Sequence, residues 1–108
     1  MPSVVELRLA GELDGDTSAE LREKLSVFAA RSSGGLLVLN LSGITFCDSV
    51  SLYTLLAIRQ ALPLAGIEVR LAEPSAVTRA AAKRVGLTAD LALPDDPEQV
   101  PPHRSPRL

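Results

Sequence analysis

The segment Leu36-Leu37-Val38-Leu39-Asn40-Leu41 is aliphatic at every position but one. A short, nearly continuous apolar run of this kind suits a central strand covered on both faces. The rest of the chain must then supply neighbouring strands and the layer that covers them. Gly34-Gly35 punctuates the start of the run, and Gly43 follows its end. There Ser42–Cys47 reads as a loop with Ile44 and Phe46 pointing inward.

The flanking segments switch between the two periods of regular structure. Val4–Ala10 puts Val5, Leu7 and Leu9 on one face and Glu6 and Arg8 on the other, a strand with one wet face. Gly11-Glu12-Leu13-Asp14 leads out of it as a loop. Thr17-Ser18-Ala19-Glu20 matches a capping box with Thr17 as N-cap. Leu21, Leu25 and Phe28 follow at helical spacing, so a helix is expected to about Arg31. A second helix is expected over Ser49–Leu62, capped by Asp48 and stopped by Pro63. Ile67–Ala72 alternates again, and Ser75–Val85 is an Ala-rich helix with Gly86 beyond its end. Leu91-Ala92-Leu93 adds a last short strand. This order predicts an α/β fold with about four strands and crossover helices.

Composition narrows the function. Aromatic residues are 3 %, so the core is aliphatic, and the net charge of −2 argues against a general nucleic-acid binder. One cysteine, Cys47, makes neither an internal disulfide nor a cysteine-cluster metal site. One histidine, His103, excludes metal sites built on paired histidines, and a Ser-His-Asp triad unless the C-terminal segment folds back. No apolar run approaches the roughly 20 residues of a bilayer span, and no signal peptide is legible. A cytoplasmic domain without membrane insertion is expected. Five of the eight prolines lie at Pro94, Pro97, Pro101, Pro102 and Pro106, and the only large aliphatics beyond Pro94 are Val100 and Leu108. The expectation is therefore a folded unit over 3–93 and a disordered, proline-rich tail over 94–108.

The chain carries no GxGxxG, Walker or GxSxG motif, and no cofactor or metal site is predicted. No acid, base and nucleophile converge, so the expectation is not an enzyme. Cys47 reads as a small packed residue. Asp14 and Asp16 read as helix initiators or as the flank of a site. The segment that stands out is Asp48-Ser49-Val50-Ser51-Leu52-Tyr53 at the entry to the second helix. On a wheel of 100° per residue, Ser49, Tyr53 and Gln60 share a polar stripe, whereas Ser51 lies nearer Leu55, Ile58 and Leu62. Val50 falls between, beside Thr54 and Ala57. By residue type these are a helix cap; alternatively, the free N–H groups of the first turn favour a phosphate there.

The stretch from Leu36 through Leu41-Ser42-Gly43-Ile44-Thr45-Phe46-Cys47-Asp48-Ser49 resembles the central segment of STAS domains, and most of all that of bacterial anti-sigma-factor antagonists. Gly11-Glu12-Leu13-Asp14 resembles their turn, and Glu73-Pro74-Ser75 through Val85-Gly86-Leu87 resembles their last helix and its glycine. The resemblance covers residues 3 to 93. It implies a small mixed sheet with helices packed mainly on one face. It also implies a protein-binding regulator that docks on an anti-sigma factor with serine-kinase activity and so frees the sigma factor. In such systems the kinase phosphorylates a hydroxyl at the start of the second helix, which breaks the complex, and a phosphatase resets it. The contact surface implied here is Asp14, Asp48, Ser49, Val50, Ser51 and Tyr53. Other settings of the family are the accessory subunit of a lipid transporter, a stress-sensing complex, a degenerate paralogue or a small-ligand binder.

Two departures from the family pattern have consequences. The usual Asp-Ser-Ser/Thr-Gly-Leu reads Asp48-Ser49-Val50-Ser51-Leu52 here, so the customary phosphoacceptor is a valine without a hydroxyl. Ser49, and after it Ser51, become the candidate phosphoacceptors. Many relatives also carry a strand before the one at Val4–Ala10. A sheet edge left unpaired there predicts weak self-association.

Overall fold

The computed structural model describes residues 3–94. Its elements are β1 (Ser3–Leu13), α1 (Gly15–Arg31), β2 (Gly35–Cys47), α2 (Ser49–Ala61), a 3₁₀ turn (Leu62–Ala65), β3 (Ile67–Ala72) and α3 (Ala76–Val85). The strands form one sheet in the order β1-β2-β3, parallel throughout. The fold is α/β as expected, with three strands instead of about four and no antiparallel member among the described residues.

The core lies on one face of the sheet. Leu37, Leu39 and Leu41 of β2 align with Ile67, Val69 and Leu71 of β3, and all six are buried. Leu21 and Leu25 of α1, Leu52, Leu55 and Ile58 of α2, and Ala81 and Ala82 of α3 join them in a single cluster. On the opposite face stand Val4, Glu6 and Arg8 of β1, Leu36, Val38 and Asn40 of β2, and Glu68 and Arg70 of β3. Leu36 and Val38 are only half-buried, so β2 is not covered on both faces as its aliphatic run suggests. The polar center of that face is Asn40. Its amide nitrogen donates to Glu6 Oε2 at 3.1 Å and Glu73 Oε2 at 3.2 Å, and its oxygen accepts from Ser42 N–H and Oγ.

Five local readings are corrected, the first being that Gly11–Leu13 is not a loop but the paired end of β1. Helix α1 starts at Gly15 with Asp14 as N-cap, and Thr17 is the third helical residue, whose hydroxyl answers the Asp14 N–H at 2.8 Å. Residues 42–47 are not a loop: β2 runs on to Cys47. It does so by taking one extra residue between Asn40 and Gly43, and another between Ile44 and Phe46, relative to β1. Each extra residue reverses which face the side chains point to. The buried apolar positions along β2 are therefore Leu37, Leu39, Leu41, Ile44 and Cys47, and Phe46 is turned out, 49 % exposed. Finally, Leu91–Leu93 is a turn and not a strand; Ala92 adopts a left-handed φ of 51°, and Leu91 and Leu93 both insert into the core. The expected tail lies outside the described residues beyond Pro94.

Candidate functional site

The parallel sheet brings the carboxyl ends of β1 and β2 side by side, since Leu13 pairs with Cys47. Each strand is followed at once by an aspartate that caps a helix, Asp14 for α1 and Asp48 for α2. In parallel sheets this edge is where loops and helix starts gather to form sites. The Asp14 carboxylate accepts from the N–H groups of Asp16 and Thr17, both at 3.0 Å, and from the Thr17 hydroxyl. The Thr17 bonds hold its carboxyl below the usual carboxylate range. The Asp48 carboxylate accepts from the Ser51 N–H at 2.8 Å.

Ser51 closes the junction. It is fully buried, and its Oγ lies 2.7 Å from the carbonyl oxygen of Leu13 and 2.6 Å from Asp48 Oδ1. The same Leu13 carbonyl accepts from the Asp48 N–H at 3.3 Å. The one proton of Ser51 thus serves two acceptors that belong to different elements. Its glycine-sized counterpart in the family pattern has no such group, so the serine adds a tie between the end of β1 and the start of α2. This hydroxyl does not reach the surface.

The other sequence-selected residues divide by exposure. Ser49 is exposed, Val50 is 59 % exposed and Tyr53 is 54 % exposed, all on the first turn and a half of α2. Asp14 and Asp48 are half-buried behind them. Phe46, immediately before the junction, adds a large apolar side chain that sequence reading assigned to the interior. The signal was weak: glycines at Gly11 and Gly43 mark irregular strands, but the phase of β2 depends on its pairing with β1. The exposed side chains at the junction are thus Phe46, Ser49, Val50 and Tyr53. Among the described residues no three His, Cys, Asp or Glu side chains are grouped as metal ligands. A cleft of about 550 Å³ opens elsewhere, between the end of α1 and the starts of β1 and β2, and includes Lys24, Phe28 and Arg31.

Comparison with known families places the chain. Residues 1–99 match the STAS domain. The chain belongs to the STAS family. Among solved structures, this STAS domain is similar to the anti-sigma factor antagonist SpoIIAA in its unphosphorylated form. The two share 25 % sequence identity with a TM-score of 0.68 over 96 % of this chain and 90 % of that one. Among the described residues of this STAS domain, no helix is long and apolar enough to cross a membrane.

Proposed function

We propose that this STAS domain is a non-enzymatic regulator that acts as an anti-sigma-factor antagonist. It docks through the start of α2 on an anti-sigma factor with serine-kinase activity. The observation that carries the reading is the exposed group Ser49, Val50 and Tyr53 set on a helix start fixed by Asp48 and Ser51. Likeness to SpoIIAA over nearly the whole chain supports it. Exposed aromatic and aliphatic side chains on a rigid first turn are what a protein contact uses as anchors. Asp14 and Asp48 border them and set the local charge. The setting is cytoplasmic, where such regulators meet their partners.

Val50 alters the switch. A kinase positions its acceptor closely, and moving one residue along a helix turns the side chain by about 100°. Ser49 is exposed but displaced by that angle, and Ser51 is inside the junction. The protein therefore binds without being released by efficient phosphorylation, and the phosphatase step has no substrate on it. Adding a hydroxyl at the exposed position 50 restores the switch, because a phosphate of charge near −2 there is adverse in a desolvated contact.

The test is to measure binding to a cognate kinase-type anti-sigma factor, with and without ATP. Wild type binds in both conditions; Val50→Ser binds and is lost on phosphorylation; Tyr53→Ala binds about tenfold more weakly or worse. Stoichiometric phosphate on the wild type that disappears in Ser49→Ala defeats the silent-switch reading. Failure to bind any such partner defeats the antagonist reading, and leaves a subunit of a transporter or stress-sensing assembly as the role that Val50 also suits.

A further inference from the structure

Strand β1 is an edge of the sheet: among the described residues its inner side pairs with β2 and nothing pairs with its outer side. An unpaired edge is a template for another strand. What that strand is can be read from β1 itself. Val4-Val5-Glu6-Leu7-Arg8-Leu9-Ala10 has a center of symmetry at Leu7. Reversing the segment about that residue sets Glu6 against Arg8, Val5 against Leu9, and Val4 against Ala10. Opposite charges therefore meet opposite charges, and apolar side chains meet apolar ones.

We propose that the outer edge of β1 pairs antiparallel with β1 of a second copy of this chain, about a two-fold axis at Leu7. Side-chain direction agrees. Val5, Leu7 and Leu9 point to the core face, and Glu6 and Arg8 to the opposite face, so every facing pair lies on one side of the joined sheet. Exposure agrees too: Val4 is 69 % and Leu7 39 % exposed, and Leu7 would meet its own counterpart on the axis. Among the described residues Glu6 gives only its Oε2 to Asn40, and Arg8 only its Nε to Ser42 at 3.4 Å. The second carboxylate oxygen and the terminal guanidinium nitrogens remain for the neighbour. The product is a continuous six-stranded sheet with an isologous contact, the commonest form of homodimer symmetry.

The opposite edge provides a contrast. Strand β3 also alternates charge, as Glu68 and Arg70, but those two already pair with each other at 3.0 Å. Its apolar residues Ile67, Val69 and Leu71 are buried, so a strand added there covers little new apolar surface. Ala92 and Pro94 also line a cleft with β3.

Sedimentation equilibrium of the full chain over a wide concentration range tests the proposal through charge exchange. The wild type is expected to pass from monomer to dimer with concentration. Glu6→Arg and Arg8→Glu each place like charges opposite one another twice per dimer, and each weakens the dimer by about tenfold or more. An equimolar mixture of the two variants forms a one-to-one heterodimer, because all facing charges are then opposite, and the double variant Glu6→Arg/Arg8→Glu recovers wild-type association. Glu68→Arg leaves association unchanged, and far-UV circular dichroism reports the same fold for all. A monomer mass at every wild-type concentration overturns the proposal. So does association that survives both single variants, or that is lost in Glu68→Arg instead.

Discussion

The thiol of Cys47 lies in the core beside Asp48, and burial pushes its pKa up to about 11, with the Asp48 charge adding to the shift and Arg84 opposing it. A thiol held protonated is a poor nucleophile and a poor metal ligand. Native protein should therefore react slowly with iodoacetamide at pH 8, and fully in urea. The same shift has a sign for stability. The unfolded thiol ionises near 9.0 and the native one near 11, so its contribution is intact below pH 9 and is lost as pH rises through 11. Urea midpoints measured from pH 8 to 11 should fall over that window, and Cys47→Ala should flatten this part of the profile. Asn40 poses the converse problem, since its neutral amide donates to two carboxylates at once. Asn40→Asp turns both donations into repulsions in a buried position, and should cost about 2 kcal/mol or more by urea denaturation at pH 7. Because like charges favour protonation of the new carboxyl, the deficit should shrink as pH is lowered toward 5.

At the scale of elements, the start of α2 depends on its cap. Asp48→Ala removes the acceptor of the Ser51 N–H and should cost about 1 kcal/mol, whereas Ser49→Ala, at an exposed site, should stay within about 0.5 kcal/mol. The entry to β2 depends on a glycine for a different reason. Gly35 has a φ of +136°, and a Cβ on it would collide with the Ser3 carbonyl oxygen. Gly35→Ala should lower the melting temperature and loosen the β1–β2 pairing at Ser3, while Gly15→Ala, with open space around it, should be neutral or mildly stabilising. These elements also show what a sequence discloses. Strand β3 was legible to the residue because its alternation is uninterrupted and its neighbours do not distort it. The outward stripe of Ser49, Tyr53 and Gln60 and the inward turn of Ser51 were legible because a helix has one fixed period. Strand β2 was not, because its two extra residues exist only relative to β1; the same gap hid Phe46 from the candidate site. The Leu-Ala-Leu segment mimics an alternating strand, but both leucines are core residues of a turn. The N-cap of α1 was displaced because Asp14 and Thr17, like Thr17 and Glu20, have capping spacing, and only the backbone distinguishes them.

For the molecule as a whole, the helices and the apolar side of the sheet share one core, and among the described residues β2 is the only strand with a partner on each side. Amides of Leu37, Leu39 and Leu41 should exchange slowest in hydrogen-exchange measurements, and β1 from Ser3 to Val5 fastest among the strands. Parallel connectivity carries a further consequence. Leu7 pairs with Leu39, and Leu37 with Val69, so each strand meets its partner only across a helix and about thirty residues of chain. On the ribosome, β1 leaves the exit tunnel while β2 is still inside it, and has no sheet to enter during that interval. Neighbouring nascent chains on one message would present the same self-matching strand to one another, and slower elongation beyond β2 would lengthen the time in which they can meet.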